Sequence, residues 1–104
     1  MEQGSLFDWR GDDAESRFRS FHEKHPEVYA HLVDLCRRWR RNGRDRWSIN
    51  GCFEVLRWER RIAGLPDPDE EWKLNNNYRS RYARLLMEQE PELEGIFELR
   101  VLKT

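Results

Sequence analysis

The sequence predicts a mainly α-helical single domain with a small β element, and three observations carry that expectation. Apolar residues recur at helical spacing in four separate segments. Clusters of Gly, Pro and Asn punctuate the chain between them. Only one late stretch, "FELRV", alternates apolar and polar side chains as a half-buried strand does, with Phe97, Leu99 and Val101 on one face. At 104 residues the chain can enclose one modest core. Apolar and charged residues each make up 38%, so that core must lean on five Trp and five Phe.

The first eleven residues, through Gly11, read as a flexible tail, and residues 12–104 as the folded domain. Asp12 or Asp13 can cap a short helix presenting Ala14, Phe18 and Phe21 on one side. Pro26 ends it and suits the first position of the next helix. That second helix has the clearest stripe: Val28, Leu32, Leu35 and Trp39, widened by Tyr29 and Cys36. Its basic last turns, "CRRWRRNG", complement the negative end of the helix dipole, and Asn42-Gly43 is a C-terminal stop. "RDRW" reads as a very short strand. Ser48 then caps a third helix with Ile49, Phe53, Leu56 and Ile62 toward the core. "AGLPDPDEE" breaks it, and a last helix runs from near Asn75 to before Pro91. This order resembles a winged helix-turn-helix with its helices at 26–42, 48–62 and 75–90 and a reduced wing. The dozen or so residues from 62 to 75 exceed the usual three- or four-residue turn of that motif.

Charge is balanced in total, at −1, and segregated along the chain. Residues 37–61 hold nine arginines against three acidic residues, whereas 65–72 and 85–98 are purely acidic among their charged positions. The balance argues against a bulk polyanion binder while leaving room for a local basic face. No apolar run approaches the roughly 20 residues of a membrane span. The start "MEQGSLFDW" lacks the basic and apolar regions of a secretory signal, so the expected compartment is cytoplasmic. In that compartment Cys36 and Cys52 are expected to be buried thiols rather than a disulfide.

The stretch "LNNNYRSRYARLL" holds the most suggestive chemistry. On a helical wheel Tyr78, Tyr82, Leu85 and Leu86 fall together and face the core. The opposite side holds Asn76, Asn77, Ser80, Ala83 and Arg84, flanked by Arg79 and Arg81. Asn can pair bidentately with adenine and Arg with guanine, and a recognition helix sets its N-terminal residues against base edges. Arg37, Arg38, Arg40 and Arg41 would then touch phosphate. One asparagine is needed as a helix cap whatever the function, and an Arg-rich exposed face equally serves solvation or a protein contact.

The residues Lys73 to Tyr78, then Tyr82, Arg84, Leu85, Pro91, Phe97, Glu98 and Arg100, give the chain a family likeness. So do "FHEKHPEVY" and "SINGCFEVLRWE" upstream. Across residues 18–102 the chain resembles an uncharacterised family of small phage and prophage proteins. The resemblance implies a phage-like origin and a small globular domain, with no chemistry attached.

The tail carries "QGSLF", similar to the pentapeptide that binds bacterial sliding clamps, with Gly4 in place of its first leucine. Leu6 and Phe7 would enter an apolar pocket and Gln3 would hydrogen-bond at its rim. The alternative packs Leu6, Phe7 and Trp9 back on the domain. His22, His25 and His31 lack zinc-type spacing, so no metal is expected. Asp67, Asp69, Glu70 and Glu71 read as a solvated acidic loop. With no GxSxG, phosphate-binding glycine loop or Cys/His nucleophile arrangement, neither an enzyme nor a cofactor is expected. Trp58 departs from the core stripe, and an exposed Trp beside Arg is the composition of a protein-binding hot spot. Two functions therefore stand: a non-catalytic DNA-binding module, or a protein-interaction module or inhibitor acting on host replication or defence machinery.

Overall fold

The computed structural model describes residues 5–68 and 77–98. Four helices and a terminal 3-10 turn appear among them: α1 (Ser5–Lys24), α2 (Pro26–Arg41), α3 (Ile49–Ile62), α4 (Asn77–Gln89) and the turn Pro91–Leu93. Helix α1 begins at Ser5, well before the expected start at Asp12 or Asp13, and runs through Gly11. A single glycine costs a helix only about 1 kcal/mol against alanine, which does not suffice to end one.

The boundaries of α2 and α3 follow local chemistry. Pro26 opens α2, where its missing N–H is no loss. Gly43, at φ +82°, closes it, with the N–H of Arg44 donating to the Trp39 carbonyl at 3.3 Å and that of Gly43 to Arg40 at 3.0 Å. Ser48 caps α3 as expected, its Oγ accepting the Gly51 N–H at 2.9 Å. Gly64, at φ +79°, ends α3 in the same way as Gly43 ends α2: the Leu65 N–H donates to the Arg60 carbonyl at 2.9 Å.

The helices enclose one core. Phe18 and Phe21 of α1, Val28, Leu32, Val33, Leu35 and Cys36 of α2, and Cys52, Phe53 and Leu56 of α3 are buried in it. Tyr78, Tyr82, Ala83 and Leu86 of α4 join them, closed from below by Leu93, Ile96 and Phe97. Aromatic edges knit α1 to α4: Phe18 meets Tyr82 edge-on at 4.8 Å, and Phe21 lies 4.9 Å from Tyr78.

Three placements correct the expected faces. Ala83 is fully buried rather than outward, because α4 packs against α1, α3 and the 3-10 turn and so buries more than one face. Ile62, expected in the core, is 73% exposed, because six residues past Leu56 it falls roughly 120° around α3 from the core stripe. Trp39 is half-buried at the core edge. The expected strands reduce, among the described residues, to one parallel bridge between Trp47 and Phe97, with the Trp47 N–H donating to the Ile96 carbonyl at 2.8 Å. Leu99 to Val101 and "EEWKL" lie outside the described residues, so the described chain is a mainly helical domain with one β contact.

Candidate functional site

The arginines of α2 face the protein's own acids. Arg37 donates from Nε to Glu92 at 2.6 Å and from Nη2 to Glu90 at 3.0 Å, while Tyr29 donates its hydroxyl to Glu90 at 3.0 Å. Burial, and then Glu90, pushes the Tyr29 phenol well above its ordinary value. Arg38 pairs with Asp34 on its own helix and with Glu59 across on α3. Arg40 satisfies three carbonyls, those of Asp45, Glu92 and Glu94, at 2.8–3.2 Å. Three of the four arginines read as phosphate contacts thus tie α2 to α3 and to the C-terminal turn. Arg41 alone of the four is exposed with no hydrogen bond or ion pair among the described residues.

Helix α4 shows a similar division. Arg79 donates to Asn50 Oδ1 at 2.8 Å and lays its guanidinium 5.4 Å from the Phe53 ring centre. Arg81 makes a short charge-assisted bond to Glu15 of α1. Ser80 and Arg84 face outward, with Arg84 lining a shallow depression beside Glu15, Leu85 and Glu88. Asn75, Asn76 and Gln3 lie outside the described residues, as do the side chains of Asn77, Leu6 and Phe7.

A different surface emerges on α3. The indoles of Trp39 and Trp47 stack face to face, 4.2 Å between centres and 5° from parallel. Trp39 Nε1 donates to the Arg46 carbonyl at 2.9 Å, which fixes its ring. Gly51 allows Trp47 to lie this close to α3, since a Cβ there would sit 3.1 Å from the indole Nε1. The pair forms one wall of an open cavity of about 540 Å³, lined also by Val55, Arg38, Arg44 and Glu59. The Arg44 guanidinium stands 5.3 Å from the Trp39 ring centre.

From Val55 the apolar surface continues along α3 to Trp58, 67% exposed, and Ile62, 73%, and Leu65, 49% exposed, follows just past the helix end. These are the large apolar side chains most open to water among the described residues. Sequence reasoning had found Trp58 and missed the other two. The signal was present for Ile62, which follows Trp58 by four residues, the spacing of one helix face, whereas Leu65 lies beyond Gly64, where the helix has ended.

Other candidate chemistry does not converge. His22 stacks on Phe18, His25 meets Glu27, and His31 meets Glu59 at 2.7 Å, so the histidines serve three separate contacts. Among the described residues no three His, Cys, Asp or Glu side chains gather as a metal site would require. No described helix is long and apolar enough to cross a membrane. No protein-family model, no curated protein and no solved structure matches this chain.

Proposed function

We propose that this chain is a non-catalytic protein-interaction module whose docking face is the outer surface of α3. The observation that carries this reading is Trp58 and Ile62, two large apolar side chains left in water on one face of α3, with Leu65 exposed just past the helix end. Exposure of that kind costs free energy in an isolated domain and is recovered when a partner covers it. Trp is the residue type that most often anchors such contacts, and Arg57 and Arg61 supply a polar rim. The chain's likeness to small phage proteins suits a module of this kind working on host machinery in the cytoplasm. A photo-cross-linking side chain placed at position 62 should give discrete protein adducts in cells, and one at exposed position 34 should not. Equal adduct patterns from both positions would refute the docking face.

A second reading, DNA binding through α4, is favoured by Arg84 and Arg41, both exposed and without a hydrogen bond or ion pair among the described residues. Asn76, Asn77 and Ser80 would accompany Arg84 at base edges, with Arg41 on phosphate. Arg37, Arg38, Arg40, Arg79 and Arg81 would have to leave their present partners to join them. Titration with duplex and single-stranded DNA at low salt tests this reading: binding should weaken with added salt and with Arg84→Ala. A flat titration removes it. The clamp-like segment Gln3 to Phe7 is a separate route to a host protein. Deleting residues 1–9 should abolish recovery of the sliding clamp, and an unchanged yield dismisses that route.

A further inference from the structure

We propose that the partner covering α3 is a second copy of this chain, docked antiparallel across a two-fold axis beside Trp58, with Glu54 of each copy meeting Arg61 of the other. This rests on the docking reading above and names its occupant.

The case comes from how charge is distributed around the apolar centre. With Trp58 as the midline and about 100° per residue, Glu54 and Arg61 fall roughly 40° and 60° to one side. Val55 and Ile62 fall roughly 60° and 40° to the other side. One flank is therefore charged, carrying one acid and one base, and the other is apolar. Both charges are open to a new partner. Arg61 is exposed with no hydrogen bond or ion pair among the described residues, and Glu54 is held only loosely, 3.6 Å from Arg57 on its own helix.

Symmetry decides which arrangement such a face accepts. When two copies of a helix pack antiparallel about a perpendicular two-fold axis, each flank meets the same flank of the other copy. The charged flank then meets itself in reversed direction, and Glu54 comes level with Arg61 of the second copy. The two residues are seven apart, about 10 Å along the axis, so the two-fold axis falls midway, next to Trp58. On the other flank Val55 comes level, within about one turn, with Ile62 of the second copy. A parallel pairing would set the charged flank against the apolar one, leaving Glu54 and Arg61 unpaired. The antiparallel contact is isologous, so it closes as a dimer and leaves no sticky face to propagate a fibre.

Sedimentation equilibrium of the purified 104-residue chain over roughly 10–500 µM tests the proposal, a range chosen because a face this small makes a dimer that dissociates on dilution. The expected result is a mass rising from monomer to dimer. Glu54→Arg and Arg61→Glu should each weaken the dimer about tenfold, and the double exchange should restore it to within about threefold. Trp58→Ala should weaken it by about thirtyfold or more. All three side chains are solvent-facing, and a thermal melt of each variant verifies that it folds. A monomer at the highest concentration, or a double exchange no tighter than the single variants, overturns the proposal. If the chain is monomeric while position 62 still cross-links to other proteins, self-docking alone has failed. If those cross-links are also missing, the docking face itself has failed.

Discussion

Arg38 and Glu59 meet in a two-pronged pair across the α2–α3 hairpin, Nη1 to Oε2 at 3.2 Å and Nη2 to Oε1 at 2.9 Å. His31 Nε2 approaches the same Oε1 at 2.7 Å, and Asp34 accepts from Arg38 Nε at 3.0 Å. Arg38 first, and then His31, hold the Glu59 carboxyl below the usual carboxylate range. A depressed folded value contributes stability above the unfolded pKa of about 4.3, and that contribution is lost as pH falls through the folded value. Both partners are part-exposed, so Glu59→Gln should cost only about 1 kcal/mol at pH 7. Urea denaturation at pH 7 and at pH 3 measures the effect. The gap between variant and wild type should narrow at the lower pH, and a constant gap would show that the pair does not set the acid response.

Cys36 and Cys52 are both free and fully buried where α2 packs on α3. Hydrogen bonding with Cys36, and then burial, pushes the Cys52 thiol far above its ordinary value, so it stays protonated and unreactive. A thiol reagent such as DTNB should modify the native protein at least about a hundredfold more slowly than the protein in denaturant. Fast modification of either thiol under native conditions would mean that the α2–α3 contact opens readily.

Much of this fold was legible because its signals are local. Pro26, Ser48 and the spacing of Val28, Leu32 and Leu35 fix α2 and α3 through capping and periodicity that act within a few residues. The errors came where tertiary neighbours decide. Ala83 looked outward on a wheel that assumed one buried face, and three elements in fact surround α4. The candidate site was less legible for the same reason. A run such as "CRRWRR" shows charge but not its partners, and Glu90, Glu92 and Glu59 lie 21 to 55 residues away from the arginines they bind. Ile62 was expected with the core stripe, yet six residues past Leu56 at about 100° each set it roughly 120° around α3, on the outer face with Trp58.

Tyr82 is fully buried, and its hydroxyl has no hydrogen-bond partner among the described residues. Burial pushes its phenol well above the ordinary value, so the group is neutral at any working pH. A buried donor without a partner carries its desolvation cost uncompensated. Tyr82→Phe keeps the edge-on contact with Phe18 and deletes only the oxygen. Its stability should equal that of wild type or exceed it by up to about 1 kcal/mol in urea denaturation. A loss of more than that would reveal a partner for the hydroxyl.

Gly43 turns the chain from α2 toward the loop that carries Trp47 back to Trp39. Its φ of +82° lies in the left-handed region, which a side chain enters at a cost of about 1–2 kcal/mol. A Cβ there would meet nothing within 4 Å, so any penalty comes from the backbone and not from crowding. Gly43→Ala should therefore destabilise by about 1 kcal/mol, and Gly43→Asn by less, because asparagine tolerates this conformation better than alanine. Thermal or urea unfolding of the two variants side by side measures the difference. If alanine were as stable as glycine, the turn would not hold its left-handed geometry in solution. The Trp39–Trp47 stack that forms the wall of the α3 cavity would then need another anchor.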